Sequence, residues 1–225
     1  NPNMTFSCSD WVAKKTDTAL RLCAGECGGS YAEGVIILSA AISAMAADAW
    51  PGSGVDKMRF VEIVKDYCDP KLNPTRISVP LLIGYLRDDN KTTEADTLRK
   101  KFMDYQETRV LTGKDVDKTE AEILSLCPSL SRKEIRRFSY SGVFYEEVRS
   151  GFVHEYRPGK KADSWAIAAT EEDEISYGNW MNDPDRHIHF PVHWIAKVAK
   201  SVAEAADRNA SQFPLSRPTM WWLEG

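Results

Sequence analysis

The sequence predicts a mainly α fold: an up-and-down helical bundle with a small C-terminal β-hairpin and a closing helix. Three observations carry this expectation. Apolar residues recur at three- and four-residue spacing through most of positions 9 to 156. Helix-starting and helix-stopping residues bracket those runs. The pattern changes only after Arg157-Pro158-Gly159, where short β-rich stretches take over.

In order, Ser9-Asp10 are expected to cap WVAKKTDTALRLCAGEC, and Gly28-Gly29 to stop it. A second helix runs from about Tyr31 to Trp50 and ends at Pro51-Gly52. Its apolar run, GVIILSAAISAMAADAW, falls short of the roughly 20 residues a bilayer takes, so it reads as a buried core helix. Residues 56–67 space Met58, Val61, Ile63, Val64 and Tyr67 for a third. VPLLIGYL (79–86) fits either a short helix or a buried strand. Helices follow from Thr93 to about Thr108 and from Lys118 to Leu126, the latter with Thr119 and Glu122 in capping-box spacing. Ser131 opens SRKEIRRFSYSGVFYEEVRSGFVHEY, with a break expected between Ser139 and Gly142.

Beyond it, SWAIAA (164–169) and EISYGNW (174–180) read as strands joined by an acidic turn, and HIHF (187–190) as a third. Pro191 then starts the closing helix, VHWIAKVAKSVAEAADRN. Residues 1–160 are thus a helical body, and 161–225 a hairpin plus helix packed on the same single domain.

The 225 residues, 43% hydrophobic and 28% charged, suffice for a substantial core. A net charge of -4 excludes a broad basic surface, so any nucleic-acid contact must be local. Five scattered cysteines point to reduced thiols in a cytosol, and Cys23 and Cys27 have no second pair to complete a tetrahedral metal site. With no basic and apolar leader, the expectation is a cytoplasmic protein without membrane contact or cofactor.

Two C-terminal features each keep two readings. His187, His189 and His193 in HIHFPVH offer three imidazoles to zinc or nickel, or form an ordinary strand with two half-exposed rings. Trp221 and Trp222 are either a packing anchor for the tail or an exposed partner contact. The charged runs TEEDE (170–174) and RKKF (99–102) read as solvated surface.

The run ending at Tyr156 carries the chemistry. Phe144, Val148 and Phe152 fall at i, i+4 and i+8, with Tyr145 and Tyr156 beside them, and this stripe should face the core. Arg149 and His154 flank the opposite side, about 140° apart on an ideal helix. Ser150 lies one turn beneath His154, and Glu147 one turn further down.

An arginine, four to six intervening residues and a histidine on a late helix of an all-α bundle is the signature of the HEPN superfamily, which Arg149-Ser150-Gly151-Phe152-Val153-His154 resembles. Asp48-Ala49-Trp50-Pro51-Gly52, followed by Arg59-Phe60-Val61-Glu62, sits where HEPN-like proteins carry their first packed helices. The resemblance covers about residues 9 to 156 in architecture and six residues in chemistry. The pair Arg186 and His193 has a similar spacing but crosses a predicted strand and Pro191, so it cannot share one helix. One departure stands out: Ser150 occupies a place where the family most often has Asn, Asp or His.

The resemblance implies a metal-independent endoribonuclease acting as a homodimer on single-stranded RNA, in a defence or toxin system with a protein antitoxin as a further partner. It implies that Arg149 grips phosphate and His154 transfers the proton, while Ser150 and Glu147 orient the histidine. The pair avoids its own core because a two-fold axis brings two copies into one cleft. The alternative is a catalytically silent adaptor that keeps the fold and binds RNA or nucleotide.

Overall fold

The computed structural model describes residues 7–102, 111–164, 173–179, 185–214 and 218–222. The chain is mainly α, with one small antiparallel sheet.

Helix α1 (Cys8–Cys23) starts two to three residues earlier than the sequence suggests. Its N-cap is Ser7, whose hydroxyl accepts from Asp10 N, rather than Ser9-Asp10. A remote carboxylate decides this. Asp207 accepts from the Ser7 hydroxyl at 3.0 Å and from the N–H groups of Cys8 and Ser9, both at 2.8 Å. The helix also ends sooner, because Gly25 turns left-handed at φ 90° before the expected Gly28-Gly29 stop.

Ser30 and Glu33 form a capping box that launches α2 (Tyr31–Ala49). Gly34 lets α1 and α2 cross closely, since a Cβ there would lie 2.3 Å from Cys23 Sγ. Alone among the described helices, α2 is long and apolar enough to cross a membrane, but here it is a core helix packed against α1, α3 (Asp56–Tyr67) and the last helix.

VPLLIGYL is helical: α4 (Val79–Asp88) begins at Ser78, whose hydroxyl accepts from Leu81 N, with Pro80 in the first turn. It is followed by α5 (Thr92–Phe102); the rest of that predicted helix, 103–110, lies outside the described residues. After β1 (Leu111–Thr112) and the single turn α6 (Gly113–Val116) comes α7 (Glu120–Leu126), opened by the expected Thr119/Glu122 box.

The run from Ser131 breaks at 137–139, just before the expected stretch, and Tyr140 to Gly142 are helical. Its first piece, α8 (Arg132–Arg136), has a capping box of Ser131 with Glu134. The chain then leaves the helix to bond with residues 76–78: Ser78 N donates to Phe138 O and Tyr140 N to Arg76 O. It resumes as α9 (Tyr140–Val143), capped by Ser139, passes through a π-helical segment (Phe144–Arg149) and ends as α10 (Ser150–Glu155).

Strand β2 (Ser176–Gly178) pairs with β1 on one side and with β3 (His187–His189) on the other, both antiparallel. Predicted strand residues 165–169 lie outside the described residues. Two-residue β1 carries too little pattern to be read from sequence. The closing helix α11 (Val192–Arg208) packs on α1 and α2, and Trp194, Phe190, Phe144 and Tyr140 form an aromatic cluster at its start.

A polar knot sits inside this core. The fully buried Asp117 accepts from the hydroxyls of Tyr140 at 2.6 Å and Tyr177 at 2.5 Å, and from Val79 N at 3.0 Å. It joins the α6–α7 link to α4, α9 and β2. Burial pushes its carboxyl up to about 7, while the hydroxyl and amide donors pull the other way.

Candidate functional site

The helix bearing Arg149 and His154 seats the apolar stripe where the sequence puts it. Phe144, Val148 and Phe152 are all buried, and Phe144 packs at 5.5 Å from Phe60 of α3. Tyr156 departs from the stripe. It takes a left-handed conformation at φ 56°, leaves the helical arc and is 57% exposed, so it does not join the core.

In the π segment Ser150 N donates to Tyr145 O, five residues back. This wider turn ends at Arg149 and sets it against α2. Arg149 is half-buried: Nε reaches Ser43 Oγ at 3.4 Å, and the guanidinium lies 5.2 Å from the Tyr145 ring centroid. Both partners are neutral, and among the described residues no carboxylate pairs with Arg149. Glu146, one turn before it, is bound instead to Lys57 of α3.

His154 is exposed, next to Val153, which is 40% exposed. Val153, His154 and Tyr156 are all exposed at this end of the helix. Half-buried Ser150 makes no hydrogen bond to His154, and the side chain of Glu147 faces elsewhere. Its carboxylate accepts from Lys161 N at 3.1 Å, and its carbonyl from Gly159 N at 2.6 Å. Residues 157–161 thus fold back along the helix over Glu147. Gly151 permits this, because a Cβ there would lie 2.6 Å from Arg157 O and 2.8 Å from Gly159 N. The signal for that return was present in the sequence as a mid-helix glycine beside Pro158-Gly159, since glycine inside a helix costs about 1 kcal/mol relative to alanine and needs a packing reason. Ser43 and Tyr145 as neighbours of Arg149 had no such signal.

The remaining candidates separate from this face. His189 is buried, its Nδ1 at 3.2 Å from Asp163 O and its ring 5.3 Å from that of Tyr31; burial holds its pKa below the ordinary imidazole value. It does not converge with His187 and His193 on a metal position, and among the described residues no three His, Cys, Asp or Glu side chains do. All five cysteines are free thiols. Trp221 and Trp222 are half-buried, with Lys57 over the Trp222 ring at 3.7 Å and Arg136 over Trp221 at 4.8 Å. Arg186 and His193 lie on either side of β3 and Pro191, off any common helix.

Comparison with family models, with curated proteins and with solved structures returns no match.

Proposed function

We propose that the chain is a metal-independent endoribonuclease of HEPN type that cleaves single-stranded RNA through Arg149 and His154, shared across a homodimer, and that it acts in a cytoplasmic defence or toxin system with a protein antitoxin. One observation carries this reading: Arg149 is half-buried, gripped only by Ser43 and Tyr145, with no carboxylate to neutralise it among the described residues. A guanidinium fixed by neutral partners keeps its charge for an anion from outside.

The chemistry follows from the two side chains. One imidazole takes the 2′-hydroxyl proton as that oxygen attacks phosphorus. The 5′-oxygen leaves with a proton from the second imidazole, and a 2′,3′-cyclic phosphate remains. The guanidinium holds the phosphoryl oxygens as charge builds on them. A single subunit supplies one of each group, and a two-fold axis at Val153 and Tyr156 supplies the second set. Ser150 orients His154 once that cleft is formed, and Glu147 does so indirectly, by fixing the 157–161 return.

A second reading, a catalytically silent RNA-binding dimer, draws on Ser150 making no bond to His154 and on Glu147 being engaged with Lys161. Cleavage of a single-stranded RNA in the presence of EDTA separates the two. The enzyme reading requires cleavage by the wild type and a loss of roughly 100-fold or more in His154→Ala. RNA binding without cleavage in either protein establishes the silent form.

A further inference from the structure

Away from the Arg149 face, a pocket of about 150 Å³ lies between the 70–73 turn, the start of α6 and the residues entering β2. Tyr140 lines it, its hydroxyl already committed to Asp117. Arg76 lines it too. This side chain donates from Nε at 3.0 Å and from Nη2 at 2.7 Å to the carbonyl oxygen of Asp117, which fixes its plane and leaves Nη1 without a hydrogen bond among the described residues.

The carboxylates on the rim are taken by other cations. Glu174, buried rather than solvated as its acidic run suggested, pairs with Lys114 at 3.0 Å, and Asp173 bonds Lys197 at 2.6 Å. Among the described residues neither Arg76 nor Lys71 has an ion pair. The half-buried Arg76 guanidinium feels the Asp117 and Glu122 carboxyl groups but among the described residues is paired with neither, and its free edge matches two oxygens of one anion. Two cations from one turn region suit a doubly charged group better than a singly charged one.

We propose that this pocket binds a compact phosphoryl oxyanion through Arg76 and Lys71, at a site separate from Arg149 and His154. Inorganic phosphate and the terminal phosphate of a nucleotide share that chemistry.

Calorimetric titration at constant ionic strength tests it, with inorganic phosphate, a nucleoside monophosphate and acetate as probes. Saturable binding of inorganic phosphate, with or without binding of the nucleotide, and acetate weaker by about tenfold or more, is the expected result. Binding of the nucleotide alone also supports the site and names its source. Arg76→Met should weaken binding by roughly tenfold or more. Lys71→Ala should weaken it several-fold; that side chain is exposed and makes no contact the fold requires, so it reads the site even if Arg76→Met fails to fold. No saturation with either phosphate probe, equal affinity for acetate, or unchanged affinity in Lys71→Ala overturns the proposal.

Discussion

The carboxylate of Glu62, fully buried in α3, accepts the backbone N–H of Trp221 at 2.6 Å across 159 positions of sequence. Its other oxygen accepts from the Thr219 hydroxyl at 3.0 Å and lies 3.2 Å from Lys65 Nζ, while Arg136 donates to Trp221 O at 2.5 Å. The C-terminal segment is therefore held by charge-assisted bonds inside the fold, and Trp222 reaches the Arg149 helix through Lys57 and Glu146.

Glu62→Ala should lower unfolding free energy by about 2 kcal/mol, since it leaves the Thr219 hydroxyl and the Trp221 amide without their acceptor and Lys65 paired with Asp66 alone. Urea denaturation followed by tryptophan fluorescence measures this. A loss under about 0.5 kcal/mol, the range of ordinary surface substitutions, shows that the segment is only laid on the surface.

Asp117 sets a pH dependence of unusual sign for a carboxylate. Burial raises it from 3.8 to about 7, so between those values the folded protein keeps a proton that the unfolded chain has lost. Its contribution is full at the acidic end, falls as pH rises through that window by roughly 1.4 kcal/mol per unit, and levels off above it. His189, lowered by burial, works in the opposite direction, so the informative quantity is a difference between proteins. Asp117→Asn should flatten the decline in urea midpoint between about pH 5 and about pH 8 relative to wild type. Parallel profiles for the two proteins refute the assignment.

Elements with strong local signals were legible in the sequence. The Thr119/Glu122 box, the core stripe Phe144, Val148 and Phe152, and the break before Tyr140 are local patterns, and the structure repeats them. What escaped reading is set by distant partners. Ser7 became the first cap because Asp207 of α11 lies against it, and β1 is a strand only because Tyr177 and Ser176 pair with it. At the candidate site, the outward placement of His154 followed from periodicity. The engagement of Glu147 by Lys161 did not, because the chain reverses after Tyr156 turns left-handed.

Arg149 separates charge from shape. Arg149→Lys keeps the cation but loses the planar fork and the stacking on Tyr145, so RNA cleavage should fall by roughly tenfold or more, with Arg149→Ala lower still. Ser43→Ala removes only a 3.4 Å bond and should change the rate a few-fold at most. Initial rates on a fluorescent single-stranded RNA order these variants; equal rates for the arginine and lysine forms mean that a point charge is enough.

The exposed Val153 and Tyr156 bear on whether the site is shared. With 40% of Val153 and 57% of Tyr156 still open to water, burying them against a second copy favours association by about 1 kcal/mol each. Val153→Asp places a charge at the proposed two-fold seam and should turn the proposed dimer into a monomer in light scattering, with cleavage lost in parallel. Subunit mixing gives the sharper test. An excess of His154→Ala should draw wild-type subunits into mixed dimers that hold a single imidazole and so lack either the base or the acid. Cleavage per wild-type subunit should then fall toward that of the variant. Cleavage that stays proportional to the wild-type subunits present would mean that each subunit acts alone, and the shared cleft would have to be abandoned.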